Sequence, residues 1–318
     1  MSMMCYHASH EQFPPSRLLK LACAAEKAGF TGLHSSDHFH PWSARQGESG
    51  FSFSWVAAAL QATSLPCSMV CAPGQRYHPA VVAQAIATLE EMFPNRFSIA
   101  LGSGEALNES ITGQEWPAKE VRNTRLFESA QVINRLLKGE KVTSYGLVTV
   151  KNARLYTLPA KKPPILGAAI TEETANWLGA WSDGLLTTAD KDNAEVARKI
   201  KAFKTGGGKG KPIYLQYSFS YARKRKDAID ELWDQWKVHT ATDGRWPEIE
   251  TVEAFDHAAR NTTPEEVLES TAIFTDIAEL RDSIRSLEAL GAERIILQNL
   301  NRQQEEFIAD FGKSASEA

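Results

Sequence analysis

The sequence predicts an α/β protein built as a (β/α)8 TIM barrel with insertions. About eight short apolar runs alternate with amphipathic helical segments from one end of the 318 residues to the other, which is the pattern of a closed parallel sheet wrapped in helices. No composition break divides the chain, so residues 1–318 read as one domain. A doubly wound open sheet would need fewer strands and usually a glycine-rich first turn. The first turn here, His7-Ala8-Ser9-His10-Glu11-Gln12, has no glycine.

The elements follow in order. A strand near Met4–His7 leads to a helix over Pro15–Gly29, where Leu18, Leu21, Ala22 and Ala25 keep helical spacing. A strand at 32–36 precedes a loop and a helix within about 52–63. The run Pro66–Ala72 precedes a helix over His78–Met92, with Pro79 at its first position. Phe97–Leu101 precedes a helix near Arg122–Leu137. The second half pairs Pro164–Ala168 with Glu172–Trp181, Asp183–Thr188 with Asn193–Phe203, and Pro212–Ser220 with Lys226–Trp236. Arg294–Gln298 feeds the last helix. Two stretches interrupt the rhythm. Residues 142–150 alternate around Gly146 as an inserted hairpin, and 237–262 lack a period and read as a lid-like loop.

The bulk numbers exclude several partners. With 35 basic and 39 acidic residues the net charge is −4, which offers no footprint for nucleic acid or an anionic membrane. The N-terminus carries neither a basic region nor a long apolar stretch, so a signal peptide or membrane span is not expected and the cytoplasm is the default location. Cys5, Cys23, Cys67 and Cys71 are scattered, as buried reduced thiols would be, and no metal site is expected around them.

Chemistry-bearing residues collect after the second and fourth strands, at what would be the barrel mouth. Ser36-Asp37-His38-Phe39-His40-Pro41-Trp42 offers an imidazole to move a proton and a carboxylate to orient a ring or accept from a cofactor. It also offers an indole wall. The plain alternative makes Asp37 a turn cap and the histidines ordinary loop residues. Leu101-Gly102-Ser103-Gly104-Glu105-Ala106-Leu107-Asn108-Glu109 lets the backbone approach a planar ligand, with Glu105 as a general acid if burial raises its pKa. The alternative is a glycine-containing loop with Glu105 at a helix start. His38-Phe39-His40 resembles the metal pair of barrel hydrolases, but that pair belongs after the first strand and needs later histidines that are missing here.

Several strings together resemble the luciferase-like monooxygenase superfamily. They are Tyr-x-Ala-Ser-x-Glu-Gln-Phe at 6–13, Ser-Asp-His-Phe-x-Pro-Trp at 36–42, Arg-Tyr-x-Pro-Ala at 76–80, Pro-Asn-Arg at 94–96 and Gly-x-Gly-Glu-Ala-Leu-Asn-Glu at 102–109. The nearest branch is that of deazaflavin-dependent glucose-6-phosphate dehydrogenase, and within it the chain is similar to probable non-F-420 flavinoid oxidoreductases. The resemblance implies a barrel of the bacterial-luciferase type, usually a homodimer. It makes Asp37 a cofactor contact, His38 the base for a substrate hydroxyl, Trp42 a wall beside the reacting centre and Glu105 an acid near the ring. Ser103, Gly104 and Asn108 would line the ring pocket. A bulge at Met69–Val70, with a non-prolyl cis peptide, would support the ring.

The departures from that pattern bear on ligands. Lys191 matches a family residue that binds the sugar phosphate, whereas Ser270 stands where an arginine is expected. Losing one charge-assisted partner removes roughly 1.5–3 kcal/mol per hydrogen bond. The family's Gly-Gly after the fifth strand is Ile170-Thr171 here, followed by Glu172 and Glu173. A compact FMN phosphate on Thr171 and the helix N-terminus fits this better than the anionic tail of the deazaflavin coenzyme F-420. The expectation is therefore an FMN-dependent oxidoreductase passing hydride to or from a small organic substrate, with monooxygenation open to it. The first alternative is an F-420-dependent dehydrogenase or reductase, and the second a flavin-binding barrel without turnover.

Overall fold

The computed structural model describes residues 2–242 and 244–315. The chain runs β1 (Met3–Ala8), α1 (Pro15–Lys27), β2 (Gly32–Ser35), α2 (Ser52–Ala62), β3 (Cys67–Cys71), α3 (Pro79–Met92) and β4 (Phe97–Leu101). A single turn, α4 (Ala106–Glu109), and the long α5 (Lys119–Leu137) follow. β5 (Val142–Tyr145) and β6 (Thr149–Ala153) then pair antiparallel, apart from the main sheet. The second half holds β7 (Ile165–Ala169), α6 (Glu172–Gly179), β8 (Leu185–Ala189), α7 (Asn193–Phe203) and β9 (Ile213–Tyr221). Next come α8 (Arg225–Thr240), α9 (Val252–Ala258), α10 (Pro264–Ser270), β10 (Ala272–Phe274), α11 (Ile277–Glu288), β11 (Arg294–Asn299) and α12 (Gln304–Ala315).

Among the described residues, β1, β2, β3, β4, β7, β8, β9 and β11 pair in parallel, each with the next, and β11 returns to β1. The result is a closed (β/α)8 barrel. Side chains alternate across each strand. On β11, Ile295 and Leu297 join the layer between strands and helices, while Ile296 points inward. The inward layer of Cys5, Ala100, Leu166, Leu186, Tyr214 and Ile296 plugs the lower barrel. Above it the filling stops. Val70, Ala168, Thr188 and Gln216 are the half-buried residues of otherwise buried strands, and they floor an open slot at the mouth.

Local chemistry fixes the helix starts. The Thr171 hydroxyl accepts the Thr174 N–H at 3.3 Å, with Glu172 and Glu173 in the positive first turn of α6. Asp276 caps α11, whose Leu280, Ile284 and Leu287 recur every three or four residues and are buried.

Three features differ from the sequence reading. β3 pairs in step with β4 from Cys67 opposite Phe97 to Cys71 opposite Leu101, and no cis peptide occurs among the described residues. A bulge or cis bond at Met69–Val70 would break that ladder, and trans is favoured by about 3–4 kcal/mol. The wall helix after β9 is α11, whereas α8 leans over the mouth, where Gln235 meets Gln12 and Gln46 of the first two loops. The stretch 237–262 is not a plain loop; among its described residues it holds the end of α8, two short 3-10 turns and α9.

Candidate active site

The loop after β2 places Asp37 and His38 side by side with different surroundings. The Asp37 side chain is 1% exposed and accepts from Arg76 Nη2 at 2.9 Å and from the Tyr77 hydroxyl at 3.0 Å. Arg76 also reaches Glu109, whose carboxylate takes the Arg76 N–H at 2.7 Å. Burial raises the pKa of Asp37, and Arg76 and Tyr77 hold it back. Each Asp37 oxygen thus accepts from within the protein, fastening the β2 loop to the β3 loop.

His38 faces the slot. Its Nε2 lies 3.8 Å from Glu11 Oε1 and 3.8 Å from Glu105 Oε2. Both distances exceed a hydrogen bond, and an oxygen seated beside the groups, at the apex of a triangle, would bridge them. The other nitrogen, Nδ1, meets Asn108 Nδ2 at 3.2 Å, and the same amide nitrogen donates to Glu105 Oε2 at 3.2 Å. Asn108 Oδ1 accepts the N–H groups of Phe39 and His40 at 2.8 and 3.2 Å. His40 places its Nδ1 on the Leu107 carbonyl at 2.8 Å.

The two carboxyls are driven apart. Burial raises Glu105 from the ordinary 4.5 to about 7, against the pull of His38 and with Glu11 and Glu109 adding to the rise. Glu11 is also buried, but His38, its own backbone, the Ser9 hydroxyl and His7 outweigh that burial and bring its pKa down. At neutral pH one carboxyl is a proton reservoir and the other an anion.

Trp42 packs on the His38 ring at 4.7 Å between centroids and carries the lid on its other sides. His239, Trp246 and Phe255 surround it at 4.6, 5.4 and 5.3 Å. The lid is latched from outside by Glu248, which accepts from both Arg122 η-nitrogens at 2.9 and 2.7 Å and from Trp116 Nε1 at 2.9 Å.

The other sequence candidates separate into floor, rim and core. Val70 joins the slot floor, but Met69 is fully buried in the layer between strands and helices and turns its side chain away. Ser103 and Gly104 are half-buried at the β4 end, and Gly104 needs its freedom: φ is +85°, and a Cβ would sit 3.0 Å from Glu109. Asn108 is buried and bonded to His38, Glu105 and the 39–40 backbone, so it positions them at the edge of the slot. Ile170 and Thr171 stand exposed at the rim. Lys191 is also exposed, donating to the Leu268 carbonyl at 3.3 Å near Ser270, whose hydroxyl turns back to the Val267 carbonyl. The floor is apolar at Val70 and Ala168, with Gly102 beside Ala168, and polar at Thr188 and Gln216, a lining that suits a planar ring with a polar edge. Reasoning from the sequence assigned no role to Glu11, Arg76 or Tyr77, although all three lie in strings that carry the resemblance.

The luciferase-like monooxygenase family model matches residues 3–294. The chain belongs to that family. F420-dependent glucose-6-phosphate dehydrogenase of Microbacterium testaceum is 30% identical over 97% of this chain and 94% of its own length. The enzyme of that name from Nakamurella multipartita is 32% identical over 97% and 94%. Among solved structures, an F420-dependent secondary alcohol dehydrogenase in complex with an F420-acetone adduct superposes with a TM-score of 0.89. It is 28% identical and the match covers 98% of both chains. The F420-dependent tetrahydromethanopterin reductase of Methanopyrus kandleri shares the fold at a TM-score of 0.76 and 17% identity, over 98% and 97% of the two chains. The protein is accordingly a luciferase-like oxidoreductase of barrel fold. These relatives are F420-dependent by name and give no support to the FMN expected from the sequence. The argument for FMN weakens on structural grounds too: Ile170 points into solvent at the rim, and Glu172 is paired with Arg198 at 3.1 Å, which offsets one of the two charges held against an anionic tail.

Proposed function

We propose that this protein is a deazaflavin-dependent dehydrogenase that oxidises a small neutral secondary alcohol to a ketone, and catalyses the reverse. The observation that carries this reading is the 3.8 Å gap separating His38 Nε2 from Glu11 and from Glu105, above a floor open to a planar ring. A carbinol oxygen set beside that pair of contacts can reach His38 Nε2 and a carboxyl oxygen at hydrogen-bond distance together. The bound deazaflavin supplies a two-electron hydride acceptor that does not activate oxygen. The chain's own part is to seat the ring over Val70, Gly102 and Ala168, to hold the alcohol against His38 and Trp42, and to keep water out with the lid. Glu105, raised to about 7, holds a proton beside the ring edge at neutral pH. Glucose 6-phosphate is disfavoured, because Lys191 points at a backbone carbonyl and Ser270 replaces the second cation.

The test is to mix purified protein with the deazaflavin and 2-propanol and follow the cofactor's visible absorbance, with glucose 6-phosphate and FMN as comparisons. Bleaching with the alcohol and little with the sugar phosphate is expected. Bound FMN carried through purification, with no deazaflavin bleaching, would return the reading to an FMN enzyme.

A further inference from the structure

Resting on that reading, we infer that Glu11 accepts the hydroxyl proton, while His38 acts as a hydrogen-bond donor to the substrate oxygen. The inference follows from the orientation of Asn108. Two backbone N–H groups, of Phe39 and His40, point at one end of its amide. Backbone N–H groups only donate, so that end is the oxygen. The NH2 end therefore faces His38 Nδ1 and Glu105 Oε2. An NH2 group only donates as well, so His38 Nδ1 offers a lone pair. The proton of the neutral ring then sits on Nε2, the nitrogen that faces the slot. A second proton on the ring would also leave Nε2 protonated. In either state Nε2 has no lone pair with which to take a proton.

Glu11 has the missing acceptor. Its Oε2 accepts the Ser9 and Ser36 hydroxyls at 2.8 and 3.0 Å, which fixes the carboxylate plane. Its Oε1 is buried, has no hydrogen-bond partner and points toward His38 Nε2. Against its burial, His38, its own backbone, the Ser9 hydroxyl and His7 of β1 keep it ionised, and His10 on its own loop, Asp37 of the β2 loop, Glu105 of the β4 loop and His239 of the lid also face this corner. A bound deazaflavin would supply the acceptor for the alcohol's carbon–hydrogen electron pair as hydride, while the O–H bond breaks with its proton passing to Glu11 Oε1. The alcohol thus loses two electrons and two hydrogens, and the ketone oxygen remains on the His38 Nε2–H. In the reverse direction Glu11 returns the proton.

Two measurements decide it. In protein labelled with 15N-histidine, the imidazole nitrogen shifts of His38, assigned by their loss in His38→Gln, should show Nε2 protonated and Nδ1 bare, with no cofactor needed. In the dehydrogenase assay Glu11→Gln should lower kcat about 100-fold or more, as removal of a general base does, while deazaflavin binding stays within about threefold by fluorescence titration. Glu11→Asp should recover part of the loss, and His38→Gln, which keeps an N–H donor, should lose less than Glu11→Gln. A His38 ring protonated on Nδ1, or Glu11→Gln within threefold of wild type, would overturn the assignment. Wild-type protein inert toward every alcohol would instead refute the dehydrogenase reading on which it rests.

Discussion

At Asp37 a carboxylate that sequence reasoning gives to the cofactor also holds two neighbours of its own protein, Arg76 and Tyr77. Its partner Arg76 has an 8% exposed side chain, so deleting the carboxylate strands a buried cation that keeps only Glu109. Asp37→Ala is expected to lower stability by about 3 kcal/mol, read from urea unfolding. Glu105 acts in the opposite sense. Its folded pKa of about 7 lies above the ordinary 4.5. The stabilisation from its proton is complete below about pH 4.5 and lost as pH climbs through 7. With the side chain one-fifth exposed, the loss between pH 5 and 8 should reach up to about 2 kcal/mol, and Glu105→Gln should remove it. Comparing unfolding midpoints of the two proteins at both pH values checks the sign. His38, Trp42 and Glu105 were legible because residue type and position after a strand single them out. Glu11 was not, since its value depends on a neighbour on the adjacent strand loop. Asn108 meets His38 across 70 positions, which spacing alone does not reveal.

At the scale of elements, the lid hangs on one indole and one latch. Trp42→Ala removes the packing of His239, Trp246 and Phe255 and should cost about 3–5 kcal/mol, the range for large buried aromatics. Glu248 is half exposed, so Glu248→Ala should cost only about 1 kcal/mol globally. It should nonetheless speed amide exchange across 222–271 and raise KM more than it lowers kcat. Unchanged exchange in that segment would show that the latch holds nothing. These helices escaped sequence reading in part because α9 and α10 are seven residues each, too short for a period to stand out. α11 was visible in principle from Asp276, Leu280, Ile284 and Leu287, but β10 shares its approach and blurs the strand count.

Across the whole molecule, the barrel was the most legible feature. Strands buried on both faces read as continuous apolar runs, and the helices between them keep a 3.6-residue period. The continuous β3–β4 register was not legible, because a familiar motif stood in for a ladder that only coordinates reveal. The open upper barrel makes cofactor binding a stability term. At 100 times its Kd, the deazaflavin should add about 2.7 kcal/mol to unfolding stability, and FMN at equal concentration should add clearly less.

The geometry at the mouth is tested most directly by a crystal structure of the protein with the reduced deazaflavin and 2-propanol, a pair that cannot react. The alcohol oxygen should accept from His38 Nε2 and donate to Glu11 Oε1, with the ring over Val70 and Ala168. A ring filling the space among Glu11, His38 and Glu105, or an alcohol bound away from all three, would contradict it.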